Sequence, residues 1–225
     1  MVEGIRPVIK KDEVRRLLGG GRSDRLSPRL ERRIEEFISE ARRIIKPRVV
    51  YTTASAEKAP GGAVALDGET VLESRRLGRT LADCDAAAVF VGTIGPGIDR
   101  MINALAAEGR VSDACVLDAV GSAAVEETVE KFHRQFDSFA ERLGGRTTLR
   151  FSPGYCDWRV EEQRKLFGVL GGEAIGVELT PSCLMRPRKS VSGVFGIGDA
   201  EAIDREGSNP CRRCGMRGCA ARRAG

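Results

Sequence analysis

"AVALDGETVL", residues 63–72, sets two short apolar and β-branched runs on either side of an Asp67-Gly68 pair. Asp-Gly is favoured in two-residue primed turns, because both positions need positive φ and the turn's twist matches that of two paired strands. A turn this short joins only antiparallel neighbours. The sheet it belongs to is therefore at least partly antiparallel. Strand-like and helical segments alternate along the rest of the chain, so helices and this sheet share one fold, and the hairpin argues against a purely parallel sheet.

The neighbouring segments extend this reading. "RVVYTTAS" (48–55) is a strand, and "AAAVFVGT" (86–93) is a buried strand feeding a helix from Pro96. "LSPRLERRIEEFISEARRIIKP" (26–47) is an amphipathic helix with Ser27 as N-cap, Pro28 at its first position and Pro47 closing it. Its apolar face is Leu30, Ile34, Phe37, Ile38, Ala41, Ile44 and Ile45. A long helix runs through residues 112–145, where Val125, Val129, Phe132, Phe136, Phe139 and Leu143 form one apolar stripe expected in the core.

With 225 residues, 41% of them hydrophobic, the chain can fill a sizeable core. The N-terminus has no apolar signal-like stretch, and "AAAVFV" is too short to cross a bilayer, so a soluble, cytoplasmic protein is expected. The seven cysteines then point to free thiols or a thiolate site rather than a disulfide scaffold. The formal charge of +5 owes much to residues 211–225, which carry five arginines and no acid.

Two features of the middle region suggest chemistry and have simpler explanations. Gly92, Gly95 and Gly97 lie between a strand and a helix, as in nucleotide-binding turns, but their spacing departs from G-x-G-x-x-G and no acidic residue follows to hold a ribose. A turn that requires glycine is the expectation. His133 is the only histidine and has no evident nucleophile nearby, so a partly exposed helix histidine is expected there.

"RFSPGYCDW" (150–158) concentrates unusual residues after the strand-like "TTLRF". Pro153-Gly154 signals a tight turn, and packing of its aromatics on the core would account for the composition. Asp157 is placed to cap a helix over 159–170 that Gly171 ends. Farther on, Gly193, Gly196 and Gly198 within a strand point to another backbone or a ligand approaching closely.

"LRFSPGY" (149–155) followed by "LTPSCLMRPRKSVSG" (179–193) resembles the activation domain of vitamin B12-dependent methionine synthase, whose signature is R-x-x-x-G-Y with a downstream P-x-x-S-V-S-G. The resemblance implies an S-adenosylmethionine-binding domain over residues 1–205 with an α+β fold, a curved, mainly antiparallel sheet with flanking helices. It also implies a role accessory to a cobalamin-dependent methyltransferase or methionine synthase subunit: reductive methylation of cob(II)alamin, with a flavodoxin-like or other one-electron donor. On the matching positions Arg150 would hold the methionyl carboxylate, Ser152 and Gly154 would offer backbone groups, and Tyr155 would lie near the ligand. Glu126 would take the α-amino group, with Glu127 and Glu130 as alternatives. No catalytic residue is assigned. The family's acidic residue near its N-terminus and its later stacking tyrosine have no counterpart; neither Asp12 nor Phe195 substitutes. The cobalt-ligating D-x-H-x-x-G is missing too, so the corrinoid is expected on a partner and this chain is expected to stand alone.

The tail (206–225) carries Cys211, Cys214 and Cys219 at the spacing C-x2-C-x4-C, which suits three thiolates sharing one metal. Zinc would make it a structural clip, and an iron-sulfur cluster an electron relay. Cys183 or Cys156 could complete the ligand set. Two other readings remain open from sequence: a zinc-knuckle-like RNA-binding module built on the basic tail, and an S-adenosylmethionine-binding protein without activity of its own.

Overall fold

The computed structural model describes residues 1–19, 26–170 and 175–204, and the tail cysteines 211, 214 and 219 lie outside them. In chain order the elements begin with β1 (Val2–Glu3), α1 (Lys11–Leu17), α2 (Pro28–Ile44), β2 (Arg48–Ala59), β3 (Ala63–Leu66), β4 (Thr70–Leu72) and α3 (Arg75–Thr80). They continue with β5 (Ala86–Thr93), α4 (Gly97–Ala107), α5 (Val111–Glu141) and β6 (Gly145–Thr147). The last are α6 (Gln163–Leu170), β7 (Glu178–Leu179), β8 (Met185–Arg186) and β9 (Ser190–Asp199).

Asp67 and Gly68 have φ of 48° and 70°, the primed turn expected of them, and β3 pairs with β4 in the register Val64↔Leu72 to Leu66↔Thr70. The main sheet, seven-stranded among the described residues, runs β4-β3-β2-β5-β9-β6, with β1 joined to β2. Every pairing in it is antiparallel. Strand β2 is long enough to serve three neighbours: β5 along residues 48–55, β3 at 56–59 and β1 at 48–49.

Strand β5 is buried on both faces, and its residues alternate between two helical layers. Ala88 and Phe90 join Val49 and Phe195 under Val129 and Phe132 of α5, whereas Ala87 and Val89 join Val194 under Leu77 of α3, Trp158 and Leu166 of α6. The other end of α5, through Leu117, Val120 and Ala124, packs with Ile34 and Phe37 of α2 and Ile98 and Ile102 of α4. Each fully buried valine, leucine, isoleucine or phenylalanine among them contributes about 1.5–3 kcal/mol. No helix among the described residues is long and apolar enough to cross a membrane.

Several expectations hold in detail. Ser27 caps α2, its Oγ accepting from Leu30 N at 3.3 Å, with Pro28 at N1. The glycines before α4 are required by packing: a Cβ at Gly92 would sit 2.8 Å from Val129 Cγ2, one at Gly97 would sit 2.9 Å from the Ile44 carbonyl, and Gly95 has φ 76°.

Others need correction. The apolar stripe of α5 is core only as far as Phe136; Phe139 is 52% and Leu143 is 72% exposed. His133, expected partly exposed, is buried against Phe195, with ring centroids 4.6 Å apart. Its Nε2 lies 3.0 Å from Thr147 Oγ1, and that hydroxyl and the Thr147 N–H both donate to Asp137. Asp157 does not cap the helix that follows it. A 3-10 turn over Val160–Glu162 leads into α6 with no side-chain cap, and Asp157 instead accepts from Ser74 Oγ (2.8 Å) and Arg76 N (3.3 Å) at the start of α3.

Candidate functional site

The two sequence motifs meet in space. Phe151 and Val194 exchange both backbone hydrogen bonds at 2.8 Å, which lays the start of the R-x-x-x-G-Y segment along β9 beside its S-V-S-G stretch. Gly193 is what lets them approach, since a Cβ there would lie 2.8 Å from the Phe151 carbonyl and 2.9 Å from both Ser152 Oγ and the Phe90 ring. The expectation of a second backbone at this glycine holds.

Beyond Phe151 the chain folds into a turn with Pro153 at its second position and Gly154, φ 91°, at its third, as a type II turn demands. Tyr155 N donates to the Ser152 carbonyl at 3.4 Å. The turn closes on Trp158, whose carbonyl accepts from Gly154 N (2.8 Å) and whose N–H donates to the Tyr155 carbonyl (3.0 Å). The Trp158 ring is buried and stacks on Phe151 with centroids 5.6 Å apart. Core packing therefore explains Phe151 and Trp158 but not Tyr155, which is 44% exposed.

Arg150 precedes the turn, and its side chain is 8% exposed. Its guanidinium reaches α5, donating to Glu126 Oε2 at 2.8 Å through one terminal nitrogen and to Glu130 Oε2 at 2.7 Å through the other. One helical turn separates the two glutamates, so they present carboxylates on the same face. Their side chains are 46% and 40% exposed, which puts the carboxylates toward solvent with the guanidinium behind them. Glu127 points elsewhere and pairs with Arg134 at 2.9 Å.

Helix α1, not foreseen in the sequence, brings a further charge to this place. Arg16 is held charged, its pKa raised above the ordinary arginine value chiefly by its hydrogen bond to Glu13, with smaller Coulombic support from Glu126 and Tyr155. A signal for α1 was present in its charge order, with Asp12 and Glu13 in the first turn and Arg15 and Arg16 in the last, the arrangement that suits a helix dipole. Asp12 itself is paired with Arg15 on the surface, and Phe195 is fully buried among Phe90, Phe132 and Phe136. Burial removes Phe195 from any ligand.

A second unforeseen residue is Gln163 at the start of α6. Its amide donates to the Cys183 carbonyl and accepts from Ser192 Oγ, both at 2.9 Å, and so ties the "TPSCLM" loop to the S-V-S-G strand. Lys189, also buried, anchors that strand to α5 through Asp118 and Ser122. Of the two cysteines proposed to complete a tail metal site, Cys183 is buried and Cys156 is exposed. Among the described residues no group of three metal-ligating side chains occurs.

An arginine and a carboxylate side by side on a partly open surface, beside an exposed tyrosine, offer complementary partners to the carboxylate and ammonium of an amino acid. Similarity to known proteins agrees with the fold that positions these groups. Among solved structures, the crystal structure of the MetH reactivation domain bound to AdoHcy is similar with a TM-score of 0.56 and 17% sequence identity, covering 77% of this chain and 67% of that one. No curated protein is similar enough in sequence to match. The family described as "Vitamin B12 dependent methionine synthase, activation domain" matches residues 79–202, a span holding Glu126, the whole R-x-x-x-G-Y turn and the S-V-S-G strand paired with it. On that match, and on the fold built around it, the chain belongs to the family of vitamin B12-dependent methionine synthase activation domains.

Proposed function

We propose that the chain binds S-adenosylmethionine at the Arg150–Glu126 site and serves the reductive methylation of cob(II)alamin carried by a partner protein. The observation that carries this reading is the approach of Arg150 to Glu126 across the turn, because it sets a carboxylate-binding fork next to an ammonium-binding carboxylate. Tyr155, exposed on the turn that follows Arg150, would cover the ligand with its ring, and Ser152 and Gly154 would offer it their remaining backbone groups, the Ser152 carbonyl and the Gly154 N–H being engaged within the turn. These residues fit an amino-acid-bearing ligand by their donor set. When bound, S-adenosylmethionine supplies an electrophilic methyl group, and one electron from an external donor balances its transfer to cob(II)alamin. The chain's own part is to bind the amino-acid end, orient the sulfonium and limit water at the site. A corrinoid methyltransferase or methionine synthase subunit is the partner this chemistry requires.

Calorimetric titration tests the first half of this reading and should show saturable binding of S-adenosylmethionine. The isolated chain should then lose added cobalamin on gel filtration, yet accelerate methylation of a corrinoid protein under reducing conditions. No heat of binding would remove the ligand assignment. Binding without any acceleration would leave a sensor rather than an activation protein.

The tail extends the proposal. Three thiolates at the spacing of Cys211, Cys214 and Cys219, with arginines beside them that favour the thiolate form, suit zinc or an iron-sulfur cluster. Protein purified anaerobically should carry zinc or iron, and Cys214→Ser should lose it, since two thiolates do not complete a site. Metal content below about a tenth of an equivalent in both proteins would sink the idea.

A further inference from the structure

Arg150 presents a difficulty for any ligand that needs it: both terminal nitrogens already hold carboxylates, at 2.8 Å from Glu126 and 2.7 Å from Glu130. A guanidinium whose side chain is only 8% exposed cannot be left without a counterion at acceptable cost. Three N–H groups of the guanidinium remain, but a third carboxylate crowded onto the same single positive charge would repel the two already there, so a ligand carboxylate is better accommodated by replacing one of these glutamates than by adding to them. The two are not equivalent. Glu126 is the carboxylate assigned to the ligand's ammonium. Glu130 already faces a second cation: its other oxygen, Oε1, lies 3.7 Å from the Arg134 guanidinium, one helical turn farther along α5. Arg16, whose charge Glu126 also feels, is instead held by two hydrogen bonds to Glu13 at 2.9 and 2.6 Å.

We propose that Glu130 is an internal competitor for the ligand, occupying on Arg150 the place of the ligand's carboxylate and moving to Arg134 when the ligand enters. The inference rests on the reading of this site as one for S-adenosylmethionine. The exchange replaces one carboxylate on Arg150 with another, so the buried charge stays paired throughout, and a rotation of the Glu130 side chain toward an arginine it already approaches is the only movement asked of α5. A mostly buried arginine is thereby kept in place while the site is empty, in return for weaker binding.

Glu130→Gln and Glu130→Ala test this in the full-length protein, with Glu126→Gln as the contrasting variant. The glutamine preserves the shape and tests the charge; the alanine also removes the acceptor at position 130, leaving Arg150 with Glu126. Because the competing contact is a partly exposed ion pair, both Glu130 variants should bind S-adenosylmethionine about two- to five-fold more tightly than wild type. The rise in melting temperature at saturating ligand should also be larger, whereas Glu126→Gln should weaken binding. The discriminating probe is decarboxylated S-adenosylmethionine. Without a carboxylate it has nothing to gain at Arg150, and its two positive charges lose an attractive partner, so the Glu130 variants should bind it no better than wild type does. Unchanged or weaker binding of S-adenosylmethionine by both Glu130 variants overturns the proposal while leaving the ligand assignment intact. An equal gain for both ligands overturns it as well. Failure of wild type and variants alike to bind S-adenosylmethionine overturns the assignment of the site itself.

Discussion

Arg150→Ala is expected to bind S-adenosylmethionine roughly thirty- to a thousand-fold more weakly than wild type, the equivalent of about 2–4 kcal/mol for charge-assisted hydrogen bonds to a carboxylate. Arg150→Lys should also bind poorly, because a single ammonium cannot hold Glu126 and a ligand carboxylate in the geometry of a planar fork. The lysine variant matters for a second reason. Truncation to alanine leaves Glu126 and Glu130 facing each other without the cation between them, which lowers stability and could masquerade as lost binding; lysine restores the charge and removes that ambiguity. The measurement is therefore paired: titration with S-adenosylmethionine, and thermal unfolding with and without saturating ligand. Ligand linkage should raise the wild-type midpoint and leave that of Arg150→Ala almost unmoved. If the folded alanine variant binds as tightly as wild type, Arg150 is only the strut between the turn and α5, and the proposed ligand site loses its centre.

Trp158→Ala should have the largest effect on stability, about 3–5 kcal/mol, as expected for emptying a fully buried aromatic site. The indole is 1% exposed, stacks on Phe151 and packs with Leu166 and Val194, so no neighbour on a flexible surface can fill the space. Against a typical total stability of about 5–15 kcal/mol this is a large fraction, and the melting temperature should fall by roughly 6–20 °C. Trp158→Phe should cost much less. It keeps the stacked ring and removes an indole N–H that finds no acceptor among the described residues. Because the Trp158 backbone holds both Gly154 and Tyr155, the alanine variant should also loosen the turn and weaken the ligand. A fall of less than about 3 °C for Trp158→Ala would mean that the turn is not built on this ring.

The features legible in the sequence are those whose physics is local. The Asp67-Gly68 turn follows from two adjacent residues that tolerate positive φ, and the start of α2 from a hydroxyl three residues ahead of an unpaired N–H. Strand β5 followed from an apolar run of strand length, and its ends fall where they were read. The pair of motifs pointed to the family by resemblance, and two of its positions have a local reason in the structure: Gly154 takes the positive φ of its turn, and Gly193 lies beneath a crossing backbone. Periodicity told which side of α5 turns inward, but not how far the sheet beneath it extends, so Phe139 and Leu143 read as core and stand in solvent. Asp157 could cap either its own helix or a distant one. The choice fell to Ser74 and Arg76, more than eighty residues earlier in the chain. Only the packed fold could bury His133 between Phe195 and Thr147 or draw Gln163 into the link between two loops. It alone decided that Arg150 would take both Glu126 and Glu130 while Glu127, beside them in sequence, turned to Arg134. Each is a contact between segments far apart in the chain, selected by which buried charge or polar group needed a partner once the sheet and α5 had closed together.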